Sequence, residues 1–328
     1  MKRIVFLLAL ALAVTLASAA GIPRAAVLII LGQSNADGSA FADSALDDDM
    51  WKWYTSSPAT SNLHIWYRSA VVHNDTDSLG RRSPHAYDGR YNDMPAGWMQ
   101  LWYRNNNTGR QTSMNMIHGQ GTYSVRSQQR RGIEGEFGRR WALKYPDTEL
   151  YVIKLGVSGS RIDSWTASFD GHNWRYFIDN IYRPAMESLV NTGRQPYLAG
   201  VWWMQGEADQ NLPAADYEKS LRMLEKRLSS LGFGAAPLYI GAIRSDSKGY
   251  GDGVRQAQQS VAAGLPEVTL VDTSDCPMQY EDAFKGCIHF SHAGVNCLAD
   301  KLFDAIAARG VTAWKPLRFS GFCPEAEP

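Results

Sequence analysis

Residues 26–31 read AVLIIL and are closed by Gly32. Six consecutive apolar residues are too few for a core helix and lack the alternation of a half-exposed strand, so they predict a strand covered on both faces, as in a parallel sheet. Runs of the same kind recur at 150–155, 198–204, 238–243 and 268–271. Between them apolar residues return at helical spacing: Ile133, Phe137, Trp141 and Tyr145; Trp174, Phe177, Ile181 and Tyr182; Tyr217, Leu221, Leu224, Leu228 and Leu231; Val295, Leu298, Leu302 and Ile306. Strands alternating with helices predict a three-layer α/β/α sandwich with a mostly parallel, flavodoxin-like sheet. Ligands of such sheets bind beyond the carboxyl ends of the strands, so chemistry is to be sought just after each apolar run.

The amino terminus stands apart. Lys2 and Arg3 precede an unbroken apolar run over 4–14, and small residues end it at Ala17-Ser18-Ala19-Ala20. This is the pattern of a cleaved secretory signal peptide, residues 1–20, and the run is shorter than a membrane span. Residues 21–328 then form a single secreted domain, with no second stretch long enough for membrane insertion. Basic and acidic residues balance at 33 each, and no basic run offers nucleic acid a surface. All four cysteines, Cys276, Cys287, Cys297 and Cys323, fall near the carboxyl terminus, and a secreted chain would oxidise them to two disulfides. Three pairings are open; Cys276 with Cys287 would clamp a short loop, and Cys297 with Cys323 would tie down the tail. A zinc site would want paired C-x-x-C spacing, which is missing. Asn74 and Asn106 begin sequons that a glycosylating host would modify.

Residues 39–119 break the alternation. They are polar and turn-rich, yet hold five of the eleven tryptophans (Trp51, Trp53, Trp66, Trp98 and Trp102), and they read as a long insertion. Such aromatics either stack on sugar rings or, more commonly under a long loop, build a satellite core. The acidic cluster Asp43, Asp47, Asp48 and Asp49 lacks the ligand alternation of a calcium loop and reads as solvated.

Gly32-Gln33-Ser34-Asn35 follows the first strand, which makes Ser34 either a nucleophile at the sheet edge or a helix cap. A base for it is available in His289, on the loop before the last amphipathic helix; His292, three residues on, is its local rival, and as a metal pair the two lack an evident third ligand. Acyl transfer also needs donors for an oxyanion. The glycines of 156–160 (GVSGS) allow close approach of backbone N–H groups, and Gln205, after the third run, brings a carboxamide to the same edge. Two rival readings stay open: Glu207 and Asp209 as the paired carboxylates of a glycosidase, and Ser158, in a near miss to G-x-S-x-G, as an alternative nucleophile.

Taken in order, these segments resemble the SGNH hydrolase superfamily, and within it the carbohydrate acetylesterases of the sialate O-acetylesterase and acetylxylan esterase type, carbohydrate esterase family six. Gly32-Gln33-Ser34-Asn35 resembles the nucleophile block, Gly159 the oxyanion glycine, residues 203–209 (WMQGEAD) the block that supplies Gln205 where other branches place asparagine, and His289-Phe290-Ser291 the histidine block. Residues 132–138 (GIEGEFG) and 254–258 (VRQAQ) are similar segments. The resemblance implies the SGNH fold, an acetylated carbohydrate substrate, and a cofactor-free Ser34–His289 esterase whose oxyanion is held by Ser34, Gly159 and Gln205. One departure stands out: the family's triad aspartate, three residues before the histidine, is Gly286 here. Asp282 comes first as its substitute, ahead of Glu281, Asp275 or a plain Ser-His dyad. The alternatives in other classes are an inactive secreted carbohydrate-binding relative and a lipase-like enzyme with an apolar channel.

Overall fold

The computed structural model describes residues 24–38, 40–41, 44–67, 97–101, 130–157, 159–167, 171–244, 251–279 and 288–318. The signal-peptide reading, Asp43, Trp102, both sequons, Ser158, Glu281, Asp282, Cys287 and Cys323 lie outside these residues.

The first apolar run is β1, Arg24–Gly32. It is covered on both faces: Ala26, Leu28 and Ile30 pack into one hydrophobic cluster, while Ala25, Val27, Ile29 and Leu31 pack into the other. All seven are fully buried, the condition in which a strand needs no polar alternation. A four-residue helical turn, α1 (Ser34–Asp37), and the short strand β2 (Ala40–Phe41) follow. Next come α2 (Ser44–Ser56), β3 (Leu63–Tyr67) and β4 (Gly97–Gln100), then β5 (Arg130–Arg131), which pairs antiparallel with β2. Helix α3 (Glu134–Lys144) leads into β6 (Glu149–Gly156). A short α4 (Asp163–Thr166) precedes α5 (His172–Tyr176), which runs through a π-helical turn, Phe177–Tyr182, into α6 (Arg183–Asn191). The remainder alternates: β7 (Gln195–Met204), α7 (Ala214–Ser229), β8 (Leu238–Gly241), α8 (Asp252–Gly264), β9 (Val268–Val271), α9 (His292–Arg309) and β10 (Lys315–Pro316).

The main sheet has the order β4-β3-β6-β1-β7-β8-β9, with β10 antiparallel on β7. From β3 to β9 every pairing is parallel, and β4 closes that edge antiparallel to β3. Helices α3 and α9 cover one face, and α5 to α8 cover the other. This is the expected three-layer sandwich. The chain leaves β1 toward β3 and β6 on one side and then crosses to β7 on the other, so the carboxyl end of β1 lies at a switch point of the winding, where open α/β sheets bind ligands.

Residues 39–119 are not wholly an insertion, because β3 is a member of the parallel sheet and α2 packs beside α3 through Met50 and Tyr54, whose hydroxyl donates to Gly135 O at 2.7 Å. The tryptophans described there serve the core. Trp66 is buried and meets Trp98 edge-on at 5.4 Å, and the Trp98 indole N–H donates to Ala185 O. Helix α8, marked in the sequence only by its family-like segment, buries Val254, Ala257 and Val261 against α7.

Candidate active site

The turn after β1 is held from two sides. Gln33 N–H donates to Met204 O of β7 at 2.9 Å, and Val157 N–H, after β6, donates to Gly32 O at 2.9 Å. Gly32 has a φ of 142°, and a Cβ there would lie 2.0 Å from Met204 O, so no side chain fits. The turn closes at Gly38, in the left-handed region, whose N–H donates to Ser34 O. Ser34 is the first helical residue, so its N–H has no helical acceptor.

His289 arrives from the far end of the chain. Its strand-like neighbours pair with 277–279: Gln279 N–H donates to His289 O at 2.7 Å, Ser291 N–H donates to Pro277 O at 3.0 Å, and Met278 bridges Phe290. Ser291 then caps α9, its hydroxyl oxygen accepting from Gly294 N–H. A Cys276–Cys297 disulfide ties this hairpin to α9, a pairing that excludes the two loop clamps considered from the sequence. With both ends fixed, His289 Nε2 lies 2.9 Å from Ser34 Oγ. A serine hydroxyl in direct hydrogen bond with an imidazole can serve as nucleophile and base, the arrangement acyl transfer requires. His292 is instead buried at the start of α9.

The other expected residues divide. Gly159, with φ of 72°, occupies the turn after β6, and among the described residues nothing stands within 4 Å of where its Cβ would be, which leaves room for a ligand against its backbone. Gln205 is fully buried and its carboxamide is engaged: Nε2 donates to Asp209 Oδ2 at 2.6 Å and to Ser160 O at 3.1 Å, while Oε1 accepts from the Tyr217 hydroxyl. In this arrangement it is a strut between loops, not an open donor. Glu207 and Asp209 face different partners. Glu207 accepts from Asn35 Nδ2 at 2.6 Å; Asp209 accepts from Ile162 N–H and Gln205 and pairs with Arg161 at 3.3 Å. Burial pushes Glu207 up to about 7, against the opposing bonds from its own backbone and from Asn35, and burial likewise raises Asp209. Asp275, one alternative to Asp282, is exposed and bound to Lys301 at 2.7 Å, whose ammonium lowers its pKa. It comes within 4.8 Å of Cys276 and Cys297 as well, but those sulfurs are bonded to each other.

Sequence reasoning missed the work of Gln33 and Asn35. Gln33 Oε1 accepts from Gly206 N–H at 3.3 Å and Ala208 N–H at 3.1 Å, tying the loop after β7 to the turn that bears Ser34. Asn35 contacts Glu207 and the histidine loop. The partners of both lie more than 170 residues away and leave no local signal in the tetrapeptide.

Residues 90–308 match the family described as carbohydrate esterase, sialic acid-specific acetylesterase. That stretch includes Gly159, Gln205 and His289, and Ser34 lies ahead of it. No curated protein matches the chain significantly. Among solved structures, a protein from Arabidopsis thaliana is 18% identical, with a TM-score of 0.56 over 87% of this chain and 99% of that one. NanS is 14% identical, with a TM-score of 0.56 over 88% and 98% of the two chains. At such identities the likeness is one of fold.

Proposed function

This chain belongs to the carbohydrate esterase family of sialic acid-specific acetylesterases, and we propose that it removes O-acetyl groups from sugars through an acyl-enzyme formed on Ser34. The observation that carries this reading is the 2.9 Å contact between Ser34 Oγ and His289 Nε2 at the switch point of the sheet. Ser34 Oγ attacks the acetyl carbonyl as its proton passes to His289. The tetrahedral oxyanion is met by the N–H groups of Ser34 and Gly159; Gln205 would join them by exchanging its bond to Ser160 O for one to the charged oxygen. Collapse breaks the ester C–O bond, the departing sugar oxygen takes the proton from His289, and water activated by the same imidazole hydrolyses the acetyl-serine. Asp282 is the carboxylate we assign to the imidazole. Residues 1–20 direct the chain to secretion and are removed.

The test is acetate release from O-acetylated sialic acid, acetylated xylan and 4-nitrophenyl acetate. Ser34→Ala and His289→Ala are each expected to lower kcat roughly a thousandfold or more, and the double variant to lose little beyond either, because the two act as one unit. Losses that multiply would count against a shared unit, and undiminished release by Ser34→Ala would remove Ser34 from the mechanism.

A further inference from the structure

Ser34 and His289 are 255 residues apart, so their meeting depends on how the histidine loop is seated on the nucleophile turn. One further side chain bridges the two. Asn35 donates from Nδ2 to Ile288 O at 2.8 Å, and its Oδ1 accepts from Phe290 N–H at 3.4 Å. A single carboxamide thus grips the residues on either side of His289.

A carboxamide can be turned end for end, and Glu207 decides which way this one lies. The second Nδ2 hydrogen goes to Glu207 Oε1 at 2.6 Å, which leaves the oxygen for Phe290. The flipped amide would set its oxygen against a carboxylate and a carbonyl, and its NH₂ against an N–H, with no bond satisfied. Asn35 and Glu207 are each 3% exposed, so water cannot replace these contacts. Glu207 is fixed in turn by Gln33, which binds the N–H groups on both sides of it.

We propose that Asn35, oriented by Glu207, is a positioning residue that holds the His289 loop in register with Ser34 and so sets the rate of acyl transfer. The inference rests on the Ser34–His289 reading above. The burial that raises the Glu207 pKa fits a carboxylate retained for the bond it accepts.

The experiment measures labelling of Ser34 by a fluorophosphonate, alongside kcat and KM for 4-nitrophenyl acetate. In labelling, a serine O–P bond forms, P–F breaks, and His289 takes the serine proton while fluoride leaves, so the rate reads the pair without any sugar contact. Asn35→Ala and the nearly isosteric Asn35→Asp should slow labelling and kcat roughly 10- to 100-fold, with KM within about threefold, the scale of a misplaced reacting group. Glu207→Ala should follow them. Glu207→Gln, whose amide oxygen still accepts from Asn35, should stay within about fivefold of wild type, having lost only the charge assistance. Equal labelling of wild type and both Asn35 variants would overturn the inference, as would a Glu207→Gln as slow as Glu207→Ala, which would make Glu207 a proton-transfer group. A wild-type protein that is not labelled at Ser34 would overturn the Ser34–His289 reading, and the inference with it.

Discussion

Four consecutive residues at the end of β1 each meet a different need. Gly32 lets β7 approach to a distance at which any Cβ would collide, Gln33 collects the loop after β7, Ser34 presents its hydroxyl, and Asn35 grips the histidine loop. Glu207, buried behind Asn35, carries a cost that stability should reveal. Its folded pKa, about 7, lies above that of an unfolded carboxyl, so the folded state holds the proton more tightly. Stability from this group is therefore greatest at low pH and falls as pH rises from the ordinary carboxylate range through about 7. Urea unfolding of wild type and Glu207→Gln at about pH 5 and about pH 8 should show the variant gaining relative stability toward the alkaline end, by at most about 3 kcal/mol. A difference that stays flat with pH would mean that Glu207 ionises normally. Ser34 and Gly159 could be singled out because each follows an apolar run, and His289 because it stands just before an amphipathic helix. Asn35 was not, because a carboxamide advertises no role until its partners are in place.

At the scale of elements, the histidine is delivered by a hairpin pinned to a helix. The 277–279 and 289–291 backbones pair, Gly294 comes so near Pro277 O that a Cβ would stand 1.9 Å from it, and the Cys276–Cys297 bond joins the hairpin to the second turn of α9. Arg244 reinforces the same corner by donating to Cys276 O. A bond closing a separation of 21 residues restricts the unfolded chain by about 3 kcal/mol. Cys276→Ser with Cys297→Ser should therefore lower unfolding free energy by about that amount, read from denaturant midpoints, and lower kcat more than it raises KM. Full activity in the double variant would show that hairpin pairing alone seats His289. The sequence foretold that cysteines matter here but left their pairing open. Elements whose buried stripe is small or polar were the hardest to foresee: α8 faces the core with Val254, Ala257, Gln258 and Val261, and Gln258 is there to accept from Ile243 N–H. Helix α2 and strand β3 were read as part of an insertion because polar, turn-rich sequence surrounds them, although both pack on the sandwich with large apolar side chains, Met50 and Tyr54 from α2 and Leu63 and Ile65 from β3.

Across the whole molecule, the runs β1, β6, β7 and β8 were legible because strands covered on both faces have little that is polar to disguise them, and β9, at the sheet edge with Thr269 and Leu270 only half-buried, was legible as a short apolar run. The exception inside β6 has its own logic. Lys154 lies beside Ile30 of β1 in the sheet and points to the α3 layer, where Glu134 meets it at 2.8 Å with both side chains at most 2% exposed. This pair joins the central sheet to a covering helix two residues before Gly156, whose Cα faces the backbone of Asp37 so closely that a Cβ would fall 2.3 Å from it. Layer, sheet and the turn that bears Ser34 are thus locked within one short stretch of β6. Two dry charges gain little over an apolar pair of the same shape, but removing one strands the other in a medium that cannot solvate it. Lys154→Met should therefore destabilise the protein by about 3–5 kcal/mol, and Glu134→Met by a comparable amount. The double replacement should cost less than the two single ones together, by about 1 kcal/mol or more, since neither charge is then left alone. Denaturant unfolding of the four proteins measures that coupling, and costs that simply add would show that the sheet and α3 are held together by their apolar contacts, with Lys154 and Glu134 acting independently.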